Sequence, residues 1–330
     1  MGVTLDTNRK YKKMKLQNKR VLVTGANGMV AYQLIKLLRD KNCNLTLTDL
    51  HEKSKFCNDE KYISGDLRSR SFSQSICKNQ DIIFSLVGLK ASPEESKNKP
   101  ASHSVTMNQF NSNIIESAFK NDIEWFLYTS SVGVYHPAVV FFEDDVFGGD
   151  PFIEKTPSQN DWYGGWAKRM GELNVEASMI EYGRNNCSIV RPANIYGKWD
   201  VFSDKATVIG SLINKGYHDD VLNVWGDGTP IRDFIYSKDV ARGMLHMVEN
   251  EVTKPVNLGS GKGVTIREIS EIISDYFYKD IFWDSEKPMG DKKRLMSVER
   301  AESYGFKPQV SLEDGLVRTM KWYEENVNEL

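Results

Sequence analysis

The sequence predicts an α/β fold, a Rossmann-like doubly wound parallel sheet with a smaller mixed α/β substrate-binding lobe. Short runs of apolar and β-branched residues alternate with helical stretches, which is the pattern of parallel strands joined by crossover helices. The runs are apolar on both faces, as strands covered by helices on both sides must be. A glycine-rich turn follows the first run, and the 330 residues suffice for two lobes at about 150 residues per domain.

The predicted elements follow the chain in a regular order. The first strand, KRVLVTG, leads into a stretch that puts Val30, Leu34, Leu37 and Leu38 on one helical face. A long helix is expected from about residue 161 to residue 182, and the pattern then loosens into loops, short strands and a helical C-terminus. Further strands of the sheet are predicted at LTLTDL, KYISGD, DIIFSLVG, EWFLYTSS and CSIVRPAN.

The composition excludes several classes of function. The 43 basic and 45 acidic residues are mixed and give a formal net charge of -2, so no broad field attracts nucleic acid or a membrane surface. The four cysteines have neither CxxC spacing nor a dense disulfide pattern, which fits a reducing compartment and indicates no metal site. No apolar run approaches the roughly 20 residues that span a bilayer, and the Lys-rich residues 1–17 are expected to be a basic tail. We therefore expect a cytoplasmic protein with a small-molecule substrate.

The turn after the first strand is a candidate dinucleotide site. Gly25 and Gly28 allow the backbone to approach a pyrophosphate, and Asn27 and Met29 lie where the helix N-terminus offers amides and a positive dipole to phosphate. Asp49 ends the second strand about 20 residues further on, where a carboxylate can accept hydrogen bonds from the adenosine ribose. A 2′-phosphate would meet this charge with no adjacent Arg, so the predicted cofactor is NAD. An ordinary turn is the alternative interpretation of the glycines.

Further motifs follow in the order found in the extended short-chain dehydrogenase/reductase superfamily, which this chain resembles over nearly its whole length. They are SSxxxY at residues 130–135, a YxxxK-like segment and RPxNxYG at residues 191–197. Within the superfamily the chain is similar to the GDP-fucose synthase and GDP-sugar epimerase/reductase branch, through YGGWAKRMGE, VWGDGTPIRDF and KRLM. The resemblance implies further cofactor-binding residues, namely Asp66, Leu67, Leu86, Lys168 and Pro192. For Asp66, a loop or helix-capping role is the alternative.

The predicted chemical centre contains Ser131 and Lys168, which match the catalytic Ser/Thr and Lys of the superfamily. Hydride transfer at a sugar carbon also needs a group that moves the hydroxyl proton. The family tyrosine stands four residues before the lysine, so that phenol and ammonium share one helical face. Gly164 holds that position here, and Tyr163 lies about 140° round an ideal helix from Lys168. Three interpretations stay open: an irregular helix start that brings the candidate Tyr163 into the site, another acid/base group, or loss of the tyrosine.

Two departures from the relatives narrow the expected reaction. Gly133 and Trp199 align with the Cys and His that exchange protons at C3 and C5 in GDP-fucose synthases, which disfavours that epimerisation. Val132 and Gly133 align with the Asp-Glu pair of the dehydratase branch, which disfavours dehydration. The resemblance then implies hydride transfer at C4 of a nucleotide sugar, GDP-linked in preference, by an NAD-dependent dehydrogenase or reductase. A nucleotide-sugar 4-epimerase and a catalytically decayed dinucleotide-binding protein are the alternatives.

The substrate-binding residues are expected mainly in the second lobe. The resemblance implies that Arg232 and Arg294 contact the substrate phosphates or base, since guanidinium groups suit phosphate oxygens; a surface ion pair is the alternative for each. Asn194 is expected near the same phosphates, and Ser131 and Val208 complete the expected substrate contacts.

The predicted organisation follows from these assignments. An NAD-binding Rossmann domain is expected over residues 18–193 and 231–261, and a nucleotide-sugar-binding lobe over residues 194–230 and 262–330. The helix that carries Lys168 and the preceding helix commonly form a four-helix interface in the superfamily. The resemblance therefore implies a homodimer or higher homo-oligomer.

Overall fold

The structure is a computed structural model that describes residues 13–89, 98–147, 156–204, 206–287 and 289–329. Strands and helices alternate along the first part of the chain, as predicted. The strands are β1 (Arg20–Thr24), β2 (Asn44–Asp49), β3 (Lys61–Ser64), β4 (Ile82–Ser85), β5 (Trp125–Thr129), β6 (Val140–Phe141), β7 (Cys187–Pro192), β8 (Asn194–Tyr196), β9 (Val221–Trp225), β10 (Ile231–Arg232), β11 (Phe234–Tyr236), β12 (Val256–Leu258), β13 (Val264–Thr265), β14 (Asp280–Asp284) and β15 (Lys293–Met296).

The helices lie between these strands and at the C-terminus. They are α1 (Met29–Asp40), α2 (Arg70–Cys77), α3 (Pro100–Lys120), α4 (Trp162–Glu181), α5 (Val208–His218), α6 (Ser237–Glu249), α7 (Ile266–Phe277), α8 (Glu299–Ser303) and α9 (Leu312–Asn326). A short 3₁₀ turn, Val132–Val134, follows β5 directly.

The main sheet orders the early strands around β1. Among the described residues it has seven strands, all parallel, in the order β3-β2-β1-β4-β5-β7-β12. The chain moves outward from β1 to β3 and then returns to β4 on the other side, so the direction of winding reverses between β1 and β4. Ligands of such sheets bind outside the carboxyl ends of the strands at this reversal. The predicted fold class is confirmed, and it directs attention to the ends of β1, β4 and β5.

The central strand β1 shows why the sheet is covered on both faces. Side chains alternate across a strand, so Val21 and Val23 point to one face and Leu22 to the other. Val21 and Val23 pack in a core with Leu34 and other α1 residues, whereas Leu22 packs with Phe110 and other α3 residues. Because both sets are fully buried, β1 reads as a continuous apolar run.

The predicted second lobe contains, among its described residues, small sheets and the helices α5, α7, α8 and α9. Its larger sheet has the order β13-β10-β15-β6 among the described residues, and β11 pairs with β8 and β14 with β9. The apolar faces of α5, α7 and α9 meet in a third core, which contains Ile213, Ile273 and Met320. Within residues 231–261, β12 joins the main sheet, whereas β10 joins the second-lobe sheet.

Residues 13–17, the last part of the expected N-terminal tail, are packed against the protein in the structure. Residues 1–12 lie outside the described residues, but Met14 and Leu16 have buried side chains in the core that also contains α1. The backbone amide of Met14 donates to the carbonyl of Glu249, 2.7 Å away. Residues 13–17 are therefore not a free tail, because the side chains of Met14 and Leu16 hold them against the core beside α1. Within the described residues, none of the helices combines the length and apolar character needed to cross a membrane.

Candidate active site

The turn between β1 and α1 has the backbone shape that a dinucleotide requires. Gly25 adopts a left-handed φ of 66°, and a Cβ at this position would lie 3.0 Å from the Cα of Val87. Only glycine fits both the dihedral angle and the space. Gly28 caps α1 and has no side chain to occupy the first-turn amides, so those amides are available to an anion.

The Asp49 carboxylate lies beside this turn. One oxygen accepts the backbone amide of Asn27 at 3.1 Å, and the other lies 2.6 Å from Nδ1 of His51. The side-chain amide of Asn27 bonds the backbone of Lys53 and Lys55, which fixes the loop after β2 against the turn. A carboxylate at the end of β2, next to free helix amides, fits the adenosine ribose and pyrophosphate of NAD. The predicted residues Gly25, Asn27, Gly28 and Asp49 are therefore brought together.

The remaining predicted cofactor residues occupy the same edge of the sheet or lie near it. Met29 begins α1, Leu86 directly follows β4 and donates its amide to the Thr24 hydroxyl at 3.2 Å, and Pro192 ends β7. Leu67 is buried in the core that contains α3. The Asp66 carboxylate accepts the amide and the guanidinium of Arg68, each at 2.8 Å, and this bonding lowers the pKa of Asp66. Contact of Asp66 with the cofactor stays a prediction.

Ser131 and Lys168 both lie at the carboxyl end of β5. The Ser131 hydroxyl accepts the Gly133 amide at 3.1 Å, which fixes it at the start of the 3₁₀ turn. The Lys168 ammonium donates to the carbonyl of Thr129 at 2.7 Å, and a Cβ at Gly88 after β4 would lie 3.9 Å from it. Lys168 is only 8% exposed, and burial lowers the pKa of its ammonium to about 8, with Glu172 opposing the shift. A buried cation thus lies between the ends of two central strands.

A buried polar network that the sequence analysis did not identify supports this pair. The Arg191 guanidinium bonds the Glu172 carboxylate at 2.9 and 2.6 Å, and both side chains are almost fully buried. The Ser130 hydroxyl donates to the same carboxylate, and the hydroxyl of Tyr135 accepts from Arg191 at 3.0 Å. The sequence did carry a signal for this network: Arg191 stands inside the apolar run CSIVRPAN. A charged side chain on a buried strand normally has a partner of opposite charge.

Tyr163 lies on a regular helix, not on an irregular start. The Gly165 amide donates to the Asp161 carbonyl, four residues earlier, so α4 is helical from its first turn. The Tyr163 side chain is 41% exposed. At Gly164, one turn before Lys168, a Cβ would lie 3.1 Å from Cε1 of His103. Regular winding therefore leaves Tyr163 off the face that carries Lys168, and its catalytic role stays a prediction.

Two of the predicted substrate residues lie side by side on the second-lobe sheet. Arg232 and Arg294 are direct neighbours on the parallel strands β10 and β15. Arg294 Nη1 lies 2.6 Å from a carboxylate oxygen of Asp161 and 3.6 Å from one of Asp291, and Nη2 donates to the carbonyl of Val132 at 3.4 Å. Burial, followed by the charge of Arg294, lowers the pKa of Arg232. The two half-buried guanidinium groups repel each other, and the carboxylates of Asp161 and Asp291 offset the charge of Arg294.

Two other predicted substrate residues lie outside this sheet. Asn194 begins β8, and its side-chain amide donates to the carbonyl of Asp233 at 2.8 Å. Val208 is the first residue of α5. Substrate contact of both residues stays a prediction.

Several known proteins are similar to this chain in sequence. It is 29% identical over 325 residues to GDP-L-fucose synthase of Sinorhizobium fredii, covering 94% of this chain and 98% of that protein. It is 33% identical over 235 residues to GDP-L-fucose synthase of Escherichia coli, covering 65% and 71% of the two chains. It is 25% identical over 313 residues to a putative UDP-glucose 4-epimerase of Methanocaldococcus jannaschii, covering 93% and 99%.

Solved structures share the fold. The epimerase Mth375 of Methanothermobacter thermautotrophicus has a TM-score of 0.83 at 23% identity, covering 95% of this chain and 94% of that chain. A UDP-N-acetylglucosamine 4-epimerase of Methanobrevibacter ruminantium has a TM-score of 0.80 at 25% identity, covering 94% and 99%. The model of the NAD dependent epimerase/dehydratase family matches residues 21–259, which contain both the β1–α1 turn and Lys168. The chain therefore belongs to the NAD dependent epimerase/dehydratase family and is an enzyme whose cofactor is NAD.

Proposed function

We propose that this enzyme oxidises or reduces C4 of the sugar of a nucleotide sugar, with a GDP-linked sugar favoured. The observation that carries the proposal is the arginine pair on β10 and β15, whose member Arg294 reaches the carbonyl of Val132 beside Ser131. A diphosphate bound at Arg232 and Arg294 would leave an attached sugar within reach of Ser131. Relatives named GDP-L-fucose synthase support the GDP linkage.

Each residue of the centre has a role in this chemistry. NAD, when bound, supplies the hydride acceptor and donor. The Ser131 hydroxyl holds the substrate oxygen, and its bond from the Gly133 amide leaves its own proton free to be donated. The Lys168 ammonium adds positive charge between the ends of β4 and β5, where it favours a negatively charged oxygen.

The reaction is expected to stop at hydride exchange. Gly133 has no side chain, and the indole of Trp199 packs against Phe56 and Trp322 at centroid distances of 5.0 and 4.8 Å. The indole of Trp199 is neither an acid nor a base near neutral pH, and Gly133 offers no group at all, so neither residue can exchange protons at C3 or C5 of the sugar. A relative of this chain is a dTDP-4-dehydro-6-deoxy-D-allose reductase, 30% identical over 161 residues, and its name supports chemistry at C4.

The second candidate function is a nucleotide-sugar 4-epimerase. The relative from Methanocaldococcus jannaschii, a putative UDP-glucose 4-epimerase, favours it. The two functions differ in the fate of the cofactor. A dehydrogenase releases a keto product and must have its reduced cofactor reoxidised, whereas an epimerase returns the hydride to the same sugar.

We also propose a homo-oligomer, at least a dimer, in the cytoplasm. On α4 the apolar side chains of Met170, Leu173 and Ile180 are exposed on the protomer, and α4 packs against α3. Exposed apolar side chains on neighbouring helices suit an interface between copies. Sedimentation equilibrium is expected to give at least twice the mass of the chain, and a monomer at all concentrations would contradict this.

The test of the proposed function has two stages. The ultraviolet absorbance of the purified protein is expected to reveal bound dinucleotide. Mass spectrometry after incubation with NAD and a panel of GDP- and UDP-sugars is expected to find a sugar that has lost two hydrogens. Bound dinucleotide with no sugar changed in mass would contradict the proposed function. A sugar whose C4 configuration changes at constant mass would then favour the 4-epimerase, and a sugar changed in neither respect would favour the decayed dinucleotide-binding protein.

A further inference from the structure

Asp161 occupies the N-cap position of α4 but does not cap the helix. Asp is among the residues preferred at this position because its carboxylate accepts first-turn amides. Here the side chain makes no capping hydrogen bond, and one carboxylate oxygen lies 2.6 Å from Nη1 of Arg294. The carboxylate is thus turned from the helix toward the interface between the lobes.

The same carboxyl group lies beside Ser131. A Cβ built on Gly133 would lie 3.4 Å from Cγ of Asp161 and 3.5 Å from the Ser131 hydroxyl oxygen. Both distances start from one point, so Cγ of Asp161 and the Ser131 hydroxyl oxygen are less than 7 Å apart. A substrate hydroxyl bound to Ser131 on its accessible side would therefore have the Asp161 carboxylate as a neighbour.

Close packing of the helix start makes this approach possible. A Cβ on Gly165 would lie 2.3 Å from the Gly133 carbonyl and 2.7 Å from Cβ of Pro157, so a larger residue would force α4 away from the 3₁₀ turn. The preceding turn is also fixed, since the Asp161 amide donates to the Ser158 carbonyl at 2.9 Å. Asp161 is therefore held at its distance from Ser131 by backbone packing.

The Arg294 guanidinium has a second carboxylate partner. Asp291 lies 3.6 Å from it and accepts the Asn160 side-chain amide at 3.1 Å and the Ser158 hydroxyl at 3.3 Å. If a diphosphate attracts Arg294, the bonds of Asp291 to Ser158 and Asn160 still hold the turn before α4. Asp161 would then be released toward the Ser131 hydroxyl while its backbone stays in position.

We infer that Asp161 is a catalytic residue, the group that exchanges the hydroxyl proton of the substrate in place of the tyrosine absent at Gly164. The inference rests on the proposed function. In oxidation the O–H bond of the sugar breaks and its proton goes to the Asp161 carboxylate. The hydrogen on the same carbon leaves with its electron pair to the oxidised nicotinamide, and the C–O bond becomes a carbonyl. Reduction is the reverse, with the protonated carboxyl group as donor.

The side chains near Gly164 are less suitable for this role. Tyr163 is on the exposed side of α4, and His103 lies behind Gly164 with Nε2 3.4 Å from the Leu89 carbonyl. No contact of His103 with Ser131 or Gly133 is found among the described residues. Tyr163 and His103 are nevertheless included in the test as alternative candidates for the proton-exchanging group.

The test compares Asp161→Asn with Asp161→Glu, Tyr163→Phe and His103→Gln in the full-length protein. Asp122→Asn is the matched control, because Asp122 is an exposed ion-paired carboxylate that precedes β5 at the opposite edge of the sheet. For Asp161→Asn we expect kcat to fall about 100-fold, the usual scale for loss of a general base. The fall is expected to be at least about ten times larger than in the two rival variants, and Asp161→Glu is expected to retain part of the activity.

Two readouts separate catalysis from structure. The acidic limb of the pH–kcat profile is expected to vanish in Asp161→Asn, because an amide cannot accept the substrate proton as a charged carboxylate does. The charged groups that face the Asp161 carboxylate are Arg294, Asp291 and Arg232. In calorimetry without cofactor, GDP is expected to bind the Asn variant several-fold more tightly, since the carboxylate no longer competes for Arg294. A merely structural role would weaken GDP binding and lower the melting temperature together.

The outcomes distinguish this inference from the function on which it rests. If the wild-type protein changes neither the mass nor the C4 configuration of any nucleotide sugar, both fail. If the wild-type protein is active but Asp161→Asn keeps the acidic limb, or loses less activity than Tyr163→Phe or His103→Gln, only the role of Asp161 fails.

Discussion

The two halves of the active crevice differ in how closely they follow the family pattern. At the β1–α1 turn, each predicted feature has its expected geometry: a left-handed Gly25, a Gly28 cap and a carboxylate at the end of β2. At the start of α4, the lysine is in position but the residue one turn before it is Gly164, and Tyr163 is exposed.

This difference follows from what each half must do. The cofactor half must bring backbone amides to a pyrophosphate and a carboxylate to a ribose, and a Cβ at Gly25 would already meet Val87. The chemical half needs only a proton-exchanging group within reach of the substrate oxygen, which different side chains can supply. The chemistry can therefore change while NAD binding is kept.

The largest effect is expected for a variant of the buried network of Arg191 and Glu172, whose Glu172 lies one helical turn after Lys168 in the chain. In Arg191→Met the Glu172 carboxylate is left buried without its partner, which is expected to cost about 3–5 kcal/mol of unfolding free energy. Urea unfolding measures it. The matched control is Arg184→Met, which removes an exposed pair with Asp122 and is expected to cost less than about 1 kcal/mol. Equal losses in both variants would contradict a supporting role of the buried pair.

The pH dependence of stability tests the environment of Lys168. Its pKa is lowered by burial from 10.5 in the unfolded chain to about 8 in the folded protein, so the charged form destabilises the fold fully below pH 8. The stability of the wild-type protein relative to Lys168→Met is expected to rise by about 3 kcal/mol between pH 8 and 10.5. Urea unfolding of both proteins across this range measures the difference. A difference that stays constant would mean that the ammonium is solvated.

Lys168→Met also tests the chemical half directly. Loss of the ammonium beside the substrate oxygen is expected to lower kcat about 100-fold, equivalent to about 2.7 kcal/mol. Steady-state kinetics measures it, and Lys120→Met on the exposed side of α3 is the control for loss of an ion-paired lysine. Activity within about tenfold of the wild-type value would contradict a role of Lys168 in the chemistry.

Asp49→Asn probes the cofactor half with the smallest expected effect. Replacing the carboxylate by an amide weakens the hydrogen bonds to the ribose, so the Kd of NAD is expected to rise about tenfold. The preference for NAD over NADP is expected to fall, since the charge that repels a 2′-phosphate is removed. Fluorescence titration with both cofactors measures this, with Asp40→Asn at the end of α1 as control. An unchanged preference would contradict ribose contact by Asp49.

The sequence predicted the fold and the glycine turn between β1 and α1, because both depend on local patterns. Apolar runs such as KRVLVTG and the glycine turn are short, and their spacing determines strand, turn and helix. Arg232 and Arg294 were predicted individually, but their pairing depends on the register between β10 and β15, which no local pattern encodes.

The position of Asp161 was beyond sequence analysis for a similar reason. Its choice between capping α4 and pairing with Arg294 depends on a strand more than a hundred residues away in the chain. The burial of Met14 and Leu16 likewise depends on α6, which supplies the Glu249 carbonyl that binds the Met14 amide. The residues next to Asp161, Met14 and Leu16 in the sequence do not indicate these contacts, because the partners come from distant parts of the chain.

The most direct test of the proposed chemistry follows one hydrogen. The protein is incubated with NAD and GDP- or UDP-hexoses that carry deuterium at C4, and the nicotinamide cofactor is analysed by mass spectrometry. The proposed function predicts NADH that contains the deuterium, together with an unlabelled keto sugar. Deuterium that remains on the sugar while its C4 configuration changes would favour the 4-epimerase, and deuterium that never leaves an unchanged sugar would contradict hydride transfer at C4.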